Sequence, residues 1–454
     1  SHRLVALMAI DKEIARLSKI LVDSEGIHFS EAEARLRSLN LEILVGEDSG
    51  SLAAHAAVLT AVSVGRRTFL GGVRVVGNLD QPVLTALPVG GRTLGEACAT
   101  IGARDFDSEV SFTIIVGRTA DTTTGDGPAV VAWWDGWDAG VRSMGLSSAG
   151  DGTNPLAGIA AGAVAVGCGF DAVRGALADL PADIQLWGLP GAPAFVDVFL
   201  PGAIWIVGLG NLGQAFSWAL ASMPFANPAD VQLILHDFDL VSEENWGTSV
   251  LVPDGTYGGL KTRLAEQWLD ARGFSVRRVD RRLLATDRLV QGEPSLAFSG
   301  LDKIGARRDM GSIGFGAIVD AGLGRTARDF DRFRVTVFHG LRPVERHFAG
   351  MEDPTPAEVP NSPAYQALAE QDRCGAAEIA GASVAVPHVS AVAAAVAFAR
   401  MIALVSGQLV PVSTARRISA VRVRPGLASE RPDCPGILHA GRPKAIGGRP
   451  ESCA

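Results

Sequence analysis

A glycine-rich turn, placed between an apolar run and a helical segment, constrains this chain more than any other feature. Ala203–Val207 predicts a buried strand, and Gly208, Gly210 and Gly213 follow it at GxGxxG spacing. Glycines let backbone amides approach a phosphate, and the N-terminus of the next helix adds partial positive charge. The turn, which includes Asn211, is therefore a candidate nucleotide-binding loop; the alternative is a tight turn without a ligand.

An acidic strand end follows the glycine turn. Residues 231–235 predict a second strand, which runs into His236, Asp237, Phe238 and Asp239. In nucleotide-binding α/β folds a carboxylate at this point meets the ribose. On these residues alone, a nicotinamide-dependent oxidoreductase remains as reasonable as an enzyme that uses ATP.

Composition narrows the class of protein and of partner. The chain has 454 residues, of which 47% are hydrophobic and 20% charged, as expected for a soluble protein of two or three domains. A net charge of -8 provides no general attraction for nucleic acid or an anionic membrane, so neither is an expected partner. The apolar stretch 382–407 carries His388 and Arg400, and it predicts a buried helix rather than a membrane span.

The cysteines indicate a reducing, cytoplasmic location. Five cysteines occur without a CxxC pair, so neither a disulfide framework nor a tetrathiolate zinc site is expected. Cys98 and Cys168 lie in apolar or helical contexts and predict buried packing residues.

The organisation of the chain suggests two related halves. A strand at 41–45 and a helix at 52–64 precede a small-residue helix at 155–177, and the second half repeats this order up to a helix at 384–405. Alternating strands and helices favour a mostly parallel α/β sheet with helices on both faces. The predicted divisions are N-terminal helices at 1–40, an inactive α/β half at 41–195, an active half at 196–410 with a cysteine segment at 350–382, and an irregular tail at 411–454.

Four motifs in residues 201–407 resemble those of the E1 and ThiF/MoeB-like adenylating enzymes. They are DFDLVSEEN at 237–245, GLKTRLAE at 259–266, SGLDKIGARR at 299–308 and DAGLG at 320–324. The resemblance implies a Rossmann-like ThiF/E1 adenylation fold in which a degenerate N-terminal half forms a pseudo-dimer with the active half. It also implies ATP and Mg2+ as cofactors, a ubiquitin-like protein as substrate and an E2-like protein as acceptor.

The same resemblance assigns roles to charged and polar residues. Attack of a carboxylate on the α-phosphate builds negative charge, which cations and a metal can offset. Asp237 is the candidate ribose ligand, Lys261 the phosphate cation, Asp302 the magnesium ligand and Asn245 a phosphate contact. Asp239 is a further candidate cofactor-binding residue, and the alternative for it is a nearby acid with no direct ligand. The alternatives are a solvated helix lysine for Lys261 and a helix N-cap for Asp302.

One family position differs in this chain. The arginine expected three residues after Asn245 is Thr248. In relatives built from two fused halves, the degenerate half donates an arginine, and Arg16 is the candidate here. Arg66 and Arg67 are the alternatives.

Cys374 is the candidate thioester nucleophile. It precedes the final small-residue helix, as the cysteine of the ThiF/MoeB branch does, and Arg373 beside it favours the thiolate. An ordinary loop cysteine is the alternative, and Cys434 or Cys453 in the tail could carry the thioester instead.

The resulting hypothesis is an E1-like enzyme that adenylates a ubiquitin-like protein and then holds it as a thioester. The layout resembles E1 proteins of bacterial ubiquitin-like conjugation operons, some of which act in antiviral defence, and homodimerisation is possible. The alternatives are a sulfur-carrier-protein adenylyltransferase for cofactor biosynthesis, an NAD-dependent oxidoreductase, or a scaffold that has lost the reaction.

Overall fold

The first half of the chain is built on one sheet. The computed structural model describes residues 10–84, 91–117, 127–145, 149–176, 182–353, 358–418, 429–431 and 437–446. The helices of the first half are α1 (Ala15–Glu25), α2 (Phe29–Arg37), α3 (Leu52–Gly65), α4 (Leu94–Thr100) and α5 (Pro155–Val173). Its strands are β1 (Asn40–Val45), β2 (Gly72–Gly77), β3 (Phe112–Val116), β4 (Ala129–Asp135), β5 (Asp138–Arg142) and β6 (Ala182–Gln185).

The second half repeats this plan with a larger sheet. Its strands are β7 (Ala203–Val207), β8 (Gln232–His236), β9 (Ser275–Val279), β10 (Leu296–Ser299), β11 (Ala317–Leu323), β12 (Arg332–His339), β13 (Val410–Pro411), β14 (Ser413–Arg417) and β15 (Ser429–Glu430). Its helices are α6 (Asn211–Ala221), α7 (Glu244–Thr248), α8 (Lys261–Asp270), α9 (Ile304–Asp309), α10 (Val344–His347), α11 (Pro363–Gln371), α12 (Arg373–Gly381) and α13 (Pro387–Val405).

Sheet topology brings the predicted site motifs to one edge. The second sheet has the order β14-β12-β11-β10-β7-β8-β9, and β7 pairs in parallel with both β8 and β10. The carboxyl ends of these three strands therefore meet at one edge, where α/β folds bind ligands. The first sheet has the order β2-β1-β3-β4-β5-β6. These paired sheets agree with the predicted α/β class.

Residues 411–454, which were predicted to be irregular, contribute β14, β15 and the last residue of β13. β14 (Ser413–Arg417) pairs antiparallel with β12 at the edge of the second sheet. Its sequence is STARR, and its side chains are mostly exposed or half-buried, because only one neighbour covers an edge strand. Charged edge residues lack the apolar alternation that identifies central strands, so β14 carries no strand signal.

Long apolar helices join the two halves into one core. α13 packs against α5 of the first half and α6 of the second, and α5 also contacts α6. α5 and α13 are each long and apolar enough to cross a membrane by length and composition, but 83% and 100% of their apolar windows are buried inside the protein. This is the burial that the sequence predicted for the final helix. The two halves thus form the expected pseudo-dimer.

The linker between the halves is fixed by a buried arginine. Arg400, on α13, is fully buried and donates to the carbonyl oxygens of Leu186 and Trp187 and to Thr414 Oγ1. Burial lowers the pKa of its guanidinium to about 9. Because all these acceptors are neutral, hydrogen bonds rather than an ion pair offset the cost of burying the charge.

Two buried tryptophans and a buried histidine contribute to packing. Trp134 and Trp137 are buried, and Trp137 contacts the ring of Trp187 at a centroid distance of 4.8 Å. His388 is fully buried, and neither ring nitrogen has a hydrogen-bond partner among the described residues. Burial lowers the His388 pKa to about 3, so the ring is neutral, as expected of a packing residue.

We expect Gly158→Ala to destabilise the fold. A Cβ at Gly158 would lie 1.9 Å from the carbonyl oxygen of Ala53, so α3 and α5 would have to move apart. Overpacking of this kind costs about 1–3 kcal/mol, which thermal or denaturant unfolding would detect. Gly305→Ala in α9 is the control, because its nearest new contact is Asp353 Oδ2 at 3.9 Å. Equal unfolding midpoints for the two variants would contradict the close contact between α3 and α5.

Candidate functional site

The glycine turn is held by both neighbouring strands. Gly208 donates to the carbonyl oxygen of His236, and Gly300 donates to that of Val207, each at 2.9 Å. Gly208 has φ +82°, and a Cβ there would lie 3.0 Å from the carbonyl carbon of Gly300. A Cβ on Gly213 would lie 1.9 Å from the Gly208 carbonyl oxygen. Only glycine fits these two positions, and Gly210 is the N-cap of α6.

Asp237 stabilises the loop at the end of β8. Its Oδ2 accepts a hydrogen bond from the Leu209 amide at 2.5 Å, and its Oδ1 accepts one from the Asp239 amide at 2.8 Å. Because each carboxylate oxygen has two lone pairs, both can still accept a hydrogen bond from a ribose hydroxyl. The predicted ribose ligand therefore lies against the glycine loop and also supports it.

Lys261 and Asp239 form an ion pair beside the loop. Lys261 Nζ lies 3.0 Å from Asp239 Oδ2, and the Lys261 amide donates to the Asp239 carbonyl oxygen at 3.0 Å. The lysine side chain is 11% exposed, whereas that of Asp239 is 50% exposed. A solvated helix lysine is thus the wrong description of Lys261, since its ammonium is held at the carboxyl end of the sheet.

Two asparagines lie at the site, and they differ in how their side-chain amides are bonded. The side-chain amide nitrogen and oxygen of Asn211, the first residue of α6, are both buried and have no partner among the described residues. Asn245 Oδ1 accepts from Ser242 N at 2.9 Å and from Ser242 Oγ at 3.2 Å. Unpaired buried amide atoms are costly, so a polar ligand such as a nucleotide fits this place better than an empty turn does.

Asp302 lies at the end of the next strand. Its carboxylate is exposed and has no hydrogen-bond or ion-pair partner in the described part of the chain. The N-cap of α9 is Lys303, and the Ile304 amide donates instead to Asp353 Oδ1 at 2.7 Å. The N-cap alternative for Asp302 is therefore wrong.

The magnesium assignment depends on few protein ligands. Within the described ranges, no three His, Cys, Asp or Glu residues form a group able to hold a metal. Mg2+ is typically held by one or two carboxylates with water and substrate phosphates, and Asp302 supplies a free carboxylate of this kind.

Arg16 reaches this region from the first half of the chain. Its Nε and Nη2 donate to Glu244 Oε2 at 2.8 and 2.6 Å, and its Nη1 contacts the Ser383 carbonyl oxygen at 3.4 Å. Glu244 begins α7 and directly precedes Asn245. The predicted arginine donor is thus next to the asparagine motif.

The alternative arginines are engaged in structural contacts. Arg67 is fully buried and donates to the carbonyl oxygens of Trp246 and Val252, each at 2.8 Å. Arg66 forms an ion pair with Asp254. Both guanidinium groups also lie over the Trp246 ring, so they fix the segment after α7.

The cysteines differ sharply in exposure. Cys374 is exposed at the second position of α12, where the Asp372 side chain caps the Gly375 amide at 2.9 Å. Cys98 and Cys168 are buried, as expected, and burial raises the pKa of each thiol to about 12. The tail cysteines, Cys434 and Cys453, lie outside the described residues.

Sequence reasoning missed a buried ion pair next to the site. Asp320 accepts from Ser299 Oγ at 2.7 Å and lies 3.3 Å from Arg307 Nη1. The motif at 320–324 was expected to begin at a strand end, but β11 continues to Leu323, so Asp320 lies inside the sheet. The sequence feature that could have indicated this ion pair is Arg307, which follows Asp302 by five residues.

Comparisons with known proteins give a consistent result. A family model described as the BilD C-terminal domain matches residues 200–408, and one described as the BilD N-terminal domain matches residues 40–180. The Bacterial E1-like protein BilD of Collimonas sp. (strain OK412) is 35% identical over 418 residues, which cover 86% of this chain and 88% of the relative.

Solved structures of E. coli MccB are also similar. The structure of MccB with ATP matches at 16% identity and a TM-score of 0.32, and the match covers 52% of this chain and 65% of MccB. The structure of MccB with succinimide matches at 16% identity and a TM-score of 0.30, covering 46% of this chain and 55% of MccB. The chain thus spans between half and two thirds of these MccB chains.

Proposed function

Because this chain belongs to the BilD family of bacterial E1-like proteins, we propose that it uses Mg-ATP to adenylate the C-terminal carboxylate of a ubiquitin-like protein. The observation that carries the proposal is the series of hydrogen bonds that links Lys261 through Asp239 and Asp237 to the Leu209 amide of the glycine loop. The same loop holds the unpaired amide of Asn211. An ammonium ion, backbone amides and an unpaired side-chain amide are the groups that a triphosphate needs.

Each residue has a defined part in the proposed reaction. The carboxylate of the partner attacks the α-phosphate, an α-phosphate–oxygen bond forms, and pyrophosphate leaves. Lys261 and the loop amides offset the negative charge, while Asp237 orients the ribose. A magnesium ion, when bound with Asp302 as a ligand, would supply further charge neutralisation. Asn245 would contact the phosphates and help to position them.

Cys374 would receive the activated acyl group. Attack of its thiolate on the acyl adenylate forms a thioester and releases AMP, and an E2-like protein then takes the acyl group by thioester exchange. Exposure at the start of α12 supports this role, since both proteins must reach the sulfur. We place the reaction in the cytoplasm, where thiols stay reduced, and in bacterial antiviral defence.

ATP–pyrophosphate exchange tests the proposed function. We expect exchange that requires Mg2+ and a ubiquitin-like protein with a Gly-terminated tail, and a large loss of exchange in Asp302→Ala. Thioester transfer to an E2-like protein separates conjugation from sulfur-carrier activation, in which the activated carboxylate becomes a thiocarboxylate. NADH oxidation in place of exchange would indicate an oxidoreductase, and the absence of both reactions would indicate a scaffold.

We expect Arg16→Ala to slow adenylation by about 10²-fold or more while ATP binds normally, because the cation acts on charge that develops in the transition state. Single-turnover formation of AMP and equilibrium binding of ATP measure the two effects. Arg35→Ala is the matched control, since Arg35 is paired with Glu25 on the neighbouring helix. Normal turnover in Arg16→Ala would exclude this arginine from the reaction.

A further inference from the structure

A basic cavity opens on the second sheet, next to the proposed nucleotide site. Its volume is about 530 Å³. Five arginines and two aspartates contribute to its lining: Arg307, Arg332, Arg334, Arg416, Arg417, Asp320 and Asp329. The cavity therefore carries an excess of positive charge, in a chain whose net charge is -8.

The two aspartates of the cavity are already engaged. Asp320 is bound by Ser299 Oγ and Arg307, and Asp329 Oδ1 accepts from Thr326 N at 2.7 Å and from Thr326 Oγ1 at 2.6 Å. The charge of Asp320 acts on Arg307 and Arg334, that of Asp329 acts on Arg332, and Arg417 pairs with Asp331, so the five arginines still outnumber the three nearby carboxylates. Burial and nearby Arg334 lower the pKa of His347, which also lines the cavity, so that ring adds no charge near neutral pH.

Arg332 and Arg334 have exposed guanidinium groups. In the described part of the chain, neither group has a hydrogen-bond or ion-pair acceptor. They are two residues apart on β12, so their side chains lie on the same face of the sheet. Arg332 is also directly opposite Arg417 of β14, whose own charge is paired with Asp331 at 2.8 Å. A bound anion would supply the acceptor that Arg332 and Arg334 lack.

The cavity and the glycine loop share one wall. Arg307 Nε donates to the Leu301 carbonyl oxygen at 2.7 Å, and Leu301 Cδ2 lies 3.2 Å from the position of a Cβ on Gly208. A peptide whose carboxylate lies at the glycine loop can therefore continue over the cavity.

We propose that the cavity binds acidic side chains in the partner segment that precedes the carboxylate to be activated. This inference rests on the proposed function, because it assigns a substrate feature to the same site. Glutamate or aspartate carboxylates match the fork of an arginine guanidinium and would pair with Arg332 and Arg334. The wall that the cavity shares with the glycine loop favours a peptide whose end lies in that loop over a nucleic acid as the occupant.

Peptide binding to the full chain in the absence of ATP tests the proposal. One fluorescent peptide ends in Gly-Gly after a run of glutamates, and the matched peptide has glutamines instead. We expect tighter binding of the glutamate peptide, weakening with salt. The double variant Arg332→Ala/Arg334→Ala should weaken it by about tenfold or more. Arg92→Ala/Arg288→Ala removes the same charge outside the cavity and should bind normally.

Charge reversal provides a second test that does not depend on loss of binding. Arg334→Glu should change the preference toward a peptide with lysines in place of the glutamates. Equal binding of the glutamate and glutamine peptides would overturn the proposal, and so would displacement by a single-stranded oligonucleotide at a lower concentration than the glutamate peptide. Pyrophosphate exchange is measured separately, so charge selectivity without exchange refutes only the proposed function, and exchange without charge selectivity refutes only this inference.

Discussion

Lys261→Ala should reduce the rate of ATP–pyrophosphate exchange by about 10²–10³-fold, the loss that follows removal of a major electrostatic group from an active site. The lysine ammonium is held 3.0 Å from Asp239 and is largely shielded from water, so in the proposed site its charge would act on the phosphates of ATP with little screening. The measurement is initial exchange rate at saturating ATP and partner, together with ATP affinity.

Two controls separate lost chemistry from lost folding. Lys444→Ala removes a lysine that is exposed and distant in sequence, and it should exchange at the normal rate. Lys261→Arg keeps the charge on a larger group, so it should recover part of the rate. If Lys261→Ala has the unfolding temperature of the unsubstituted protein and also its rate of ATP–pyrophosphate exchange, the site assignment is wrong.

Cys374→Ala should abolish the reducible adduct with the partner while leaving pyrophosphate exchange intact. The two reactions have different requirements, because pyrophosphate exchange needs only the acyl adenylate, whereas the adduct also needs a sulfur nucleophile. Gel electrophoresis with and without a thiol reductant measures the adduct.

The other cysteines provide the matched comparison for Cys374. Cys98→Ala and Cys168→Ala remove thiols that burial keeps protonated, so the adduct should persist in both variants. An adduct that survives Cys374→Ala but disappears in Cys434→Ala or Cys453→Ala would move the nucleophile to the tail.

The sequence predicted the strands and turns of the second half where apolar patterning was strong. Ala203–Val207 is a strand with the expected bounds, and the family resemblance is confirmed by the BilD matches. Periodicity worked there because buried parallel strands are apolar runs with glycine at their ends. It failed for β14, whose arginines mark an edge strand that needs only one partner.

Contacts across the chain were the least predictable part of the site. Arg16 and Glu244 are far apart in sequence, and no sequence motif indicates that their side chains form an ion pair. The same holds for Asp320 and Arg307, whose pairing depends on how far β11 extends and on where α9 begins. Family resemblance supplied residue types and order, while the register of packed elements required the structure.

The position of Arg400 restricts how this protein can move. Its guanidinium binds the 186–187 backbone and Thr414 at once, so rotation of one half against the other would leave a buried charge without acceptors. We therefore expect the two sheets to keep a single relative orientation throughout the reaction cycle. If Cys374 moves toward an activated carboxylate, we expect the segment that carries α11 and α12 to move, and not one half of the chain against the other.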